Sequence, residues 1–522
     1  MRSRKAERKP LSFSTTMRNP NRIVSFLNCL LPYENLTHDV IMKVVHNAIK
    51  EKLYTPVVVN RTPDLVYILR NEDEKYSDKQ IEYIIEMSPQ KHKEAGFEYG
   101  WDSRFDTIFK LPMEFGFVKY AMGEPIKIST TGHMLIDALN EEEPNEEKIQ
   151  MVFLNSMMKY QSNNPYRKNA NANVPLILLL QVLKMLKEDT QENGAGVFRQ
   201  ELSLFICWPD NNAKALYDKI KQIRSEVGFS YSDEYMYEIC LELLGATDEQ
   251  RNRFKLSQIC GEAVDEYIRK MRTTGIISLR GNGRFVDYNA WEVEKIDYIL
   301  QHYSEYKVFE SKDEYFDYVG AIDTTVISMG SAVPADTTDL RKNALKRFAA
   351  EYSKEAIYSE LQKVCKKTAS TDYMLKLLPG PVRLEFLTSI AMVQNFENLD
   401  VTPNYTIDDE GLPTNTASGG KADIVCFDKE YQSLVEVTLM CGRQDQVNNE
   451  IVPIRRHLLE EKKNYEKTFS VFIAPTIHED TKQMAEWYKF KEDLDIATYA
   501  IDEFIEKIKS EEKIVYLLDN CN

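Results

Sequence analysis

Two β-rich runs, Ala422-Asp423-Ile424-Val425-Cys426-Phe427 and Ser433-Leu434-Val435-Glu436-Val437-Thr438, flank the short polar turn 428–432. Runs of this kind around turn residues read as a β-hairpin. With the turn centred on Lys429-Glu430, Phe427 faces Gln432, Val425 faces Leu434 and Asp423 faces Glu436. Directly opposed residues share one face of the sheet, with Cβ atoms about 5 Å apart. The spacing therefore predicts two carboxylates side by side on a sheet. A slip of one residue would move every side chain to the other face.

Opposed like charges destabilise a sheet. A buried carboxylate pair must share a proton or hold a cation. Oxygen-only ligands favour Mg²⁺ bound through one or two carboxylates. From spacing alone the alternative is an edge hairpin carrying two solvated acids.

The remainder of the 522 residues suggests three or four domains at about 150 residues each. A chain 43% hydrophobic and 11% aromatic can build packed cores and is not wholesale disordered. No apolar run reaches the roughly 20 residues of a membrane span. The longest, Val174 to Leu183, has the length of a buried helix, so no membrane partner is expected. The basic N-terminus has no apolar stretch behind it and does not read as a signal peptide. Eight cysteines form no CxxC pair, so zinc is not expected, and free thiols fit a reducing cytoplasm. The net charge of −16 does not mark a nucleic-acid binder. Its distribution matters more: Arg2, Arg4, Lys5, Arg8, Lys9, Arg18 and Arg22 stand against Glu7 alone. That is a basic arm, or simply a solvated tail.

Breaks fall at 161–173, 190–196 and 328–337. Residues 113–139 read as strand, turn, strand and helix, and 198–227 as helix, break, helix. A helix over 257–274 ends at Gly275, a good C-cap. Strands Ile276–Leu279 and Phe285–Tyr288 follow, around Arg280-Gly281-Asn282-Gly283-Arg284, where Asn-Gly is a strong hairpin signal. A helix followed by a basic-tipped hairpin looks like the end of a winged-helix unit. Arg280 and Arg284 at its tip suit phosphate or minor-groove contact, or merely keep a hairpin soluble. One long charged helix, Asp339 to Lys367, is expected to lead into a separate domain.

Gly420-x-x-Asp423 followed 13 residues on by Glu436-Val437-Thr438 resembles the PD-(D/E)xK nuclease signature. It departs from the pattern in two places: no Pro precedes Asp423, and Thr438 stands where Lys is usual. Glu-Val-Thr at this position resembles the AlwI-like type IIS restriction endonucleases, which include related site-specific nicking enzymes. Glu385 in PVRLEFLTSIAMV, Asn449-Glu450, Arg455-Arg456-His457 and the segment Met17–Ile23 extend the resemblance over most of the chain, most strongly over 380–475. Read as residues alone, Glu385 is a further carboxylate or an exposed helical acid. Glu450 and His457, seven apart, share a helix face unless Pro453 kinks the helix or starts a new one.

The resemblance implies a multidomain α+β protein. Mostly helical winged-helix-type recognition domains would occupy 1–160 and 161–300, a helical linker 301–366, and an α/β nuclease domain with a central mixed sheet 367–522. It implies an endonuclease that binds a short asymmetric site in double-stranded DNA and cuts a few base pairs away. Asp423, Glu436 and the Val437 carbonyl would hold Mg²⁺, or Mn²⁺ in its place, with Glu385, Glu450 and His457 completing the catalytic set. Arg18, Arg22, Arg280 and Arg284 are the expected DNA contacts. The implied partners are a transient second nuclease module, from another copy or a small subunit, and a cognate DNA methyltransferase. Two other readings share parts of the pattern: a non-enzymatic winged-helix regulator, and a transposase or repair nuclease with the same core.

Overall fold

A computed structural model describes residues 7–13, 20–37, 40–71, 73–88, 110–120, 124–141, 145–192, 194–247 and 251–518. The chain is mixed α+β and divides into two compact units. The first comprises 1–61, 76–141 and 147–333; the second comprises 62–75, 142–146 and 334–522. No helix among the described residues is long and apolar enough to cross a membrane.

In the first unit, α1 (Pro20–Leu30) precedes a two-residue antiparallel pair, β1 (Val118–Lys119) with β2 (Lys127–Ile128), and α2 (Thr130–Asn140). The Ser129 side chain caps α2 by accepting from Gly132 N at 3.0 Å. The apolar run is α3 (Pro175–Glu188), with Pro175 in its first turn and nine of its residues buried. An all-round apolar helix belongs inside a core.

Around α3 lie β3 (Val197–Phe198), α4 (Leu202–Cys207), α5 (Ala213–Val227) and α6 (Ala263–Arg272). A hairpin of β4 (Ile277–Arg280) and β5 (Phe285–Tyr288) follows. The three strands form one antiparallel sheet in the order β3-β5-β4. The hairpin stands where the Asn-Gly signal puts it. The expected 257–274 helix is a π-helical turn over Ser257–Glu262 running into α6. Seven of the ten residues of α6 are buried, so this helix belongs to the core of the unit.

The second unit differs from the sequence reading at its start. The single long helix is two: α7 (Thr338–Glu351) and α8 (Lys354–Cys365), the latter capped by Ser353, which accepts from Ala356 N. Both pack on α9 (Gly380–Asn395). Next come β6 (Asp400–Pro403), a ribbon of β7 (Tyr405–Ile407) with β8 (Pro413–Ala417), and the hairpin β9 (Ile424–Phe427) and β10 (Gln432–Val437). Then follow α10 (Val452–Asn464), β11 (Thr468–Ala474), α11 (Glu479–Glu492), β12 (Ile496–Ala500) and α12 (Ile501–Ser510). The central sheet is mixed, in the order β12-β11-β10-β9-β6: β10, β11 and β12 run parallel, while β9 is antiparallel to both neighbours. All seven residues of β11 are buried, as expected of a strand covered on both faces. Leu434 and Phe472 pack with Ile451, Ile454 and Leu458 in one core cluster.

Candidate active site

The β9–β10 turn sets the geometry. Asp428 Oδ1 accepts from Glu430 N at 3.1 Å and Tyr431 N at 2.7 Å, and Lys429 takes a left-handed φ of 77°. An aspartate that binds its own turn stabilises such a tight reversal without glycine. The strands then pair in the expected register, Gln432 with Phe427 and Leu434 with Val425. One step beyond β9, side chains replace the ladder. Asp423 N donates to Glu436 Oε2 at 3.2 Å, and Val437 N donates to Asp423 Oδ2 at 2.8 Å. The two carboxylates thus face one another across the hairpin mouth.

Three more elements bring residues to this pair. Glu385, on α9, is 3% exposed, and its Oε2 accepts from Ala417 N at the end of β8 at 3.0 Å. His457, on α10, places Nδ1 2.9 Å from Glu436 Oε1. Glu450 lies in a π-helical turn, Asp445–Ile451, that runs straight into α10. Pro453 occupies the first turn of α10 and lacks the N–H that an α ladder would send back to Asn449. The turn ahead of it is widened to π, a feature concentrated at functional sites. Pro453 therefore neither ends the helix nor separates Glu450 from His457.

The charges are held under stress. Burial, then the negative charges of Glu385 and Glu436, push the Asp423 carboxyl well above the carboxylate range, against the Val437 N–H that favours its anion. Burial raises Glu385 likewise, opposed by the Ala417 N–H and reinforced by Glu436 and Glu146. Glu450 is pushed up to about 7, mainly by burial. A cation among these groups would relieve what they cost one another.

The donor set fits a hard divalent ion. Every donor of the hairpin pair is oxygen, and Asp423 Oδ1 lies opposite the oxygen already engaged by Val437 N. Among the described residues no group of three or more acidic, His or Cys side chains is placed to hold a metal ion. Mg²⁺ asks less than that of a protein, since one or two carboxylates suffice and water and phosphate oxygens supply the rest.

The expected DNA-contacting arginines lie elsewhere. Arg280 is held by its own hairpin, with Nε 2.8 Å from Asp287 Oδ2 and Nη2 2.9 Å from Tyr288 O. Arg284 is exposed at the hairpin tip. Arg22, on α1, is exposed and donates to Leu53 O at 3.2 Å. Arg18 lies outside the described residues.

Two participants were missed in the sequence. Glu146 adds its charge to Glu385, and no local pattern announces it. Thr438, regarded only as a missing Lys, is buried, and its hydroxyl favours the charged form of Glu450 against the burial that raises it. Strand alternation was the available signal, because Thr438 is two residues beyond Glu436 and shares its face.

A family model described as AlwI restriction endonuclease matches residues 113–377 and 335–506. No curated protein matches the chain. Among solved structures, the small subunit of the heterodimeric restriction endonuclease R.BspD6I is 22% identical, with a TM-score of 0.26, over 32% of this chain and 85% of that one. The restriction endonuclease FokI is 12% identical, with a TM-score of 0.25, over 100% of this chain and 97% of that one. The family match spans most of the sequence, and the chain belongs to the AlwI restriction endonuclease family, the type II restriction endonucleases that cut DNA site-specifically.

Proposed function

We propose that this enzyme is a Mg²⁺-dependent, type IIS-like endonuclease with a PD-(D/E)xK-type site at Asp423 and Glu436. The observation that carries this reading is the reciprocal bonding of Asp423 and Glu436, with Glu385, Glu450 and His457 gathered around them. Asp423, Glu436 and the Val437 carbonyl are the groups that would hold Mg²⁺, with Mn²⁺ as a substitute. The ion supplies charge neutralisation at the phosphoryl group and an activated water. His457 braces Glu436, and its position beside the hairpin mouth suits it to orient water or the scissile phosphate. Glu450 is the group best placed to accept a proton near neutral pH, since Thr438 cannot act as the usual Lys would.

In this reading the first unit binds a short asymmetric site in double-stranded DNA, and the second hydrolyses a phosphodiester a few base pairs away. The sheet order β3-β5-β4, the buried α4 followed by a bend and the solvent-facing α5 support a winged-helix reading of residues 197–288. Arg284 and the outer face of α5 are then better placed to meet DNA than Arg280, which its own hairpin occupies. Arg22 and Arg18 remain candidates for backbone contact. A cognate methyltransferase protecting the same site would complete a cytoplasmic restriction–modification pair. The test is cleavage of a plasmid library with and without Mg²⁺, followed by sequencing of the ends. Ends at a fixed offset from one asymmetric motif are expected. Metal-independent or sequence-random ends would overturn the reading.

A further inference from the structure

Arg341 lies near the start of α7, half-buried, and its Nη1 donates to Tyr405 O at 3.3 Å at the head of β7. Tyr405 ties the neighbourhood of the acids together. It pairs with Ala417, whose N–H holds Glu385. It also follows Asn404, whose N donates to Asp423 O at 2.8 Å and whose Nδ2 donates to Ala422 O at 2.7 Å. The Arg341 guanidinium therefore sits on the backbone that joins the anchor points of Glu385 and Asp423. Its own bonding is incomplete. A guanidinium offers five N–H donors, yet Arg341 Nε is buried without an acceptor, and among the described residues no carboxylate forms an ion pair with this side chain. Burial works against its charge more than Tyr405 and Asp336 offset it. Buried charges are ordinarily paired. The ribbon has other anchors: Arg347 Nη2 donates to Glu410 O at 3.0 Å, and Gly411 lies so close to α7 that a Cβ there would come within 2.4 Å of Ala344 Cβ.

Resting on the reading of Asp423 and Glu436 as the active site, we propose that Arg341 binds a phosphate of the cleaved strand next to the scissile one, which supplies the counter-charge that its surroundings lack. Asp423, Glu436, Glu385 and Glu450 suit a cation but repel a phosphodiester. A guanidinium at the head of the ribbon attracts it, and its planar fork matches two phosphate oxygens. The free protein carries the cost of an unpaired, half-buried charge, and the DNA backbone relieves it.

The test uses the full chain as wild type, Arg341→Met and Arg341→Gln, on site-bearing duplexes that carry one neutral methylphosphonate at a time around the cleavage point. Binding in Ca²⁺ and melting temperature without DNA are read. In wild type, neutralising one phosphate beside the scissile bond should weaken binding about tenfold or more, the scale of a hydrogen bond to a charged group. Arg341→Met should bind the unmodified duplex more weakly by a similar factor, and the same methylphosphonate should then cost nothing further, because the two changes remove one contact. The slope of log K against log salt should become shallower by about 1. Arg341→Gln, which keeps a donor for Tyr405 O but no charge, should lose the same contact. Arg341→Met should melt no lower than wild type, since it removes a charge that has no partner. Wild-type DNA affinity in Arg341→Gln, a methylphosphonate profile in Arg341→Met identical to that of wild type, or a lower melting temperature with unchanged salt slope would each overturn the proposal and leave Arg341 as a strut of the ribbon. Cleavage by Asp423→Ala at the wild-type rate would instead overturn the active-site reading beneath it.

Discussion

His457 Nδ1 lies 2.9 Å from Glu436 Oε1, while the other oxygen of the same carboxylate takes the backbone N–H of Asp423 at 3.2 Å. Glu436 is therefore held from both sides, by a helix and by the opposing strand. A carboxylate fixed this way keeps its orientation, the kind of preorganisation that a site stabilising developing charge requires.

Removing either acid of the hairpin should stop chemistry without stopping recognition. Asp423→Ala and Glu436→Ala are expected to lower single-turnover cleavage by about 10²- to 10³-fold or more, the scale for losing a group that stabilises transition-state charge. Binding to the site in Ca²⁺, followed by gel shift, should be unchanged or tighter. Asp423→Asn should also raise the melting temperature without metal by about 2 °C, since opposed like charges cost up to about 1 kcal/mol. That gain should disappear at saturating Mg²⁺. Near-normal cutting by either alanine variant would remove these residues from the active site.

The raised acids give a pH dependence of definite sign. Glu450 moves from an ordinary value of 4.5 to about 7 in the folded protein. The native state thus binds its proton more tightly than the unfolded chain does. The stability this contributes is complete below about pH 4.5 and is lost as pH rises through about 7. The melting temperature of Glu450→Gln minus that of wild type, both without metal, should therefore grow between pH 5 and 8. Cations and protons compete for the same oxygens. At limiting Mg²⁺ the cleavage rate should fall below neutrality, and added Mg²⁺ should restore it. A difference in melting temperature that is flat across this range would contradict the placement of Glu450.

If the first unit is the DNA-recognition half, that half should end near 333. Stopping at 300 would remove the helix Lys312–Gly320, which is built into the first unit. There Tyr315 is fully buried and donates to Glu114 O at 2.8 Å, and Thr131 Oγ1 donates to Gly320 O at 2.6 Å. Gly116, at φ 71°, and Gly320 let two backbones touch: a Cβ on Gly320 would lie 2.6 Å from Ser129 Cβ and 2.8 Å from Gly116 O. A 1–333 fragment should melt cooperatively and shift site-bearing DNA with a steep salt dependence. The 1–300 fragment should do neither, and Gly320→Ala should cost about 1–3 kcal/mol in chemical denaturation. A 1–300 fragment that folds and binds as well would show the helix to be dispensable.

What the sequence revealed and what it hid follow from the range of the interactions. The β9–β10 register was legible because a local turn fixes it, and the Asp428 side chain that closes the turn is part of the same segment. The gathering of Glu385 and His457 was visible only through family resemblance, since each comes from a separate helix. The burial of α6 was not legible. Its charged residues Glu266, Lys270 and Arg272 carry no local sign of burial, and packing within the unit encloses them. Arg280 looked free at a hairpin tip, yet Asp287 on the next strand captures it. The break between α7 and α8 carried a signal, the cap at Ser353, inside an otherwise helical pattern that outweighed it.

The last expectation concerns how many strands one molecule cuts. The chain contains a single Asp423/Glu436 hairpin. One such site hydrolyses one strand per engagement, because the two scissile phosphates of a duplex lie on opposite strands. A double-strand break then needs a second nuclease module, from another copy or a separate subunit. The net charge of −16 gives free copies little reason to associate, since net like charge keeps proteins apart. Supercoiled plasmid should therefore pass through an open-circle intermediate. If the second module is another copy, linear product should rise more than proportionally with enzyme concentration, and catalytically dead Glu436→Ala protein should hold the reaction at the nicked stage. If it is a separate subunit, linear product should stay low at every concentration of this chain alone. Sedimentation without DNA should report a monomer. A stable dimer that yields linear product directly, with no nicked species at any concentration, would show that two sites are assembled before DNA is met.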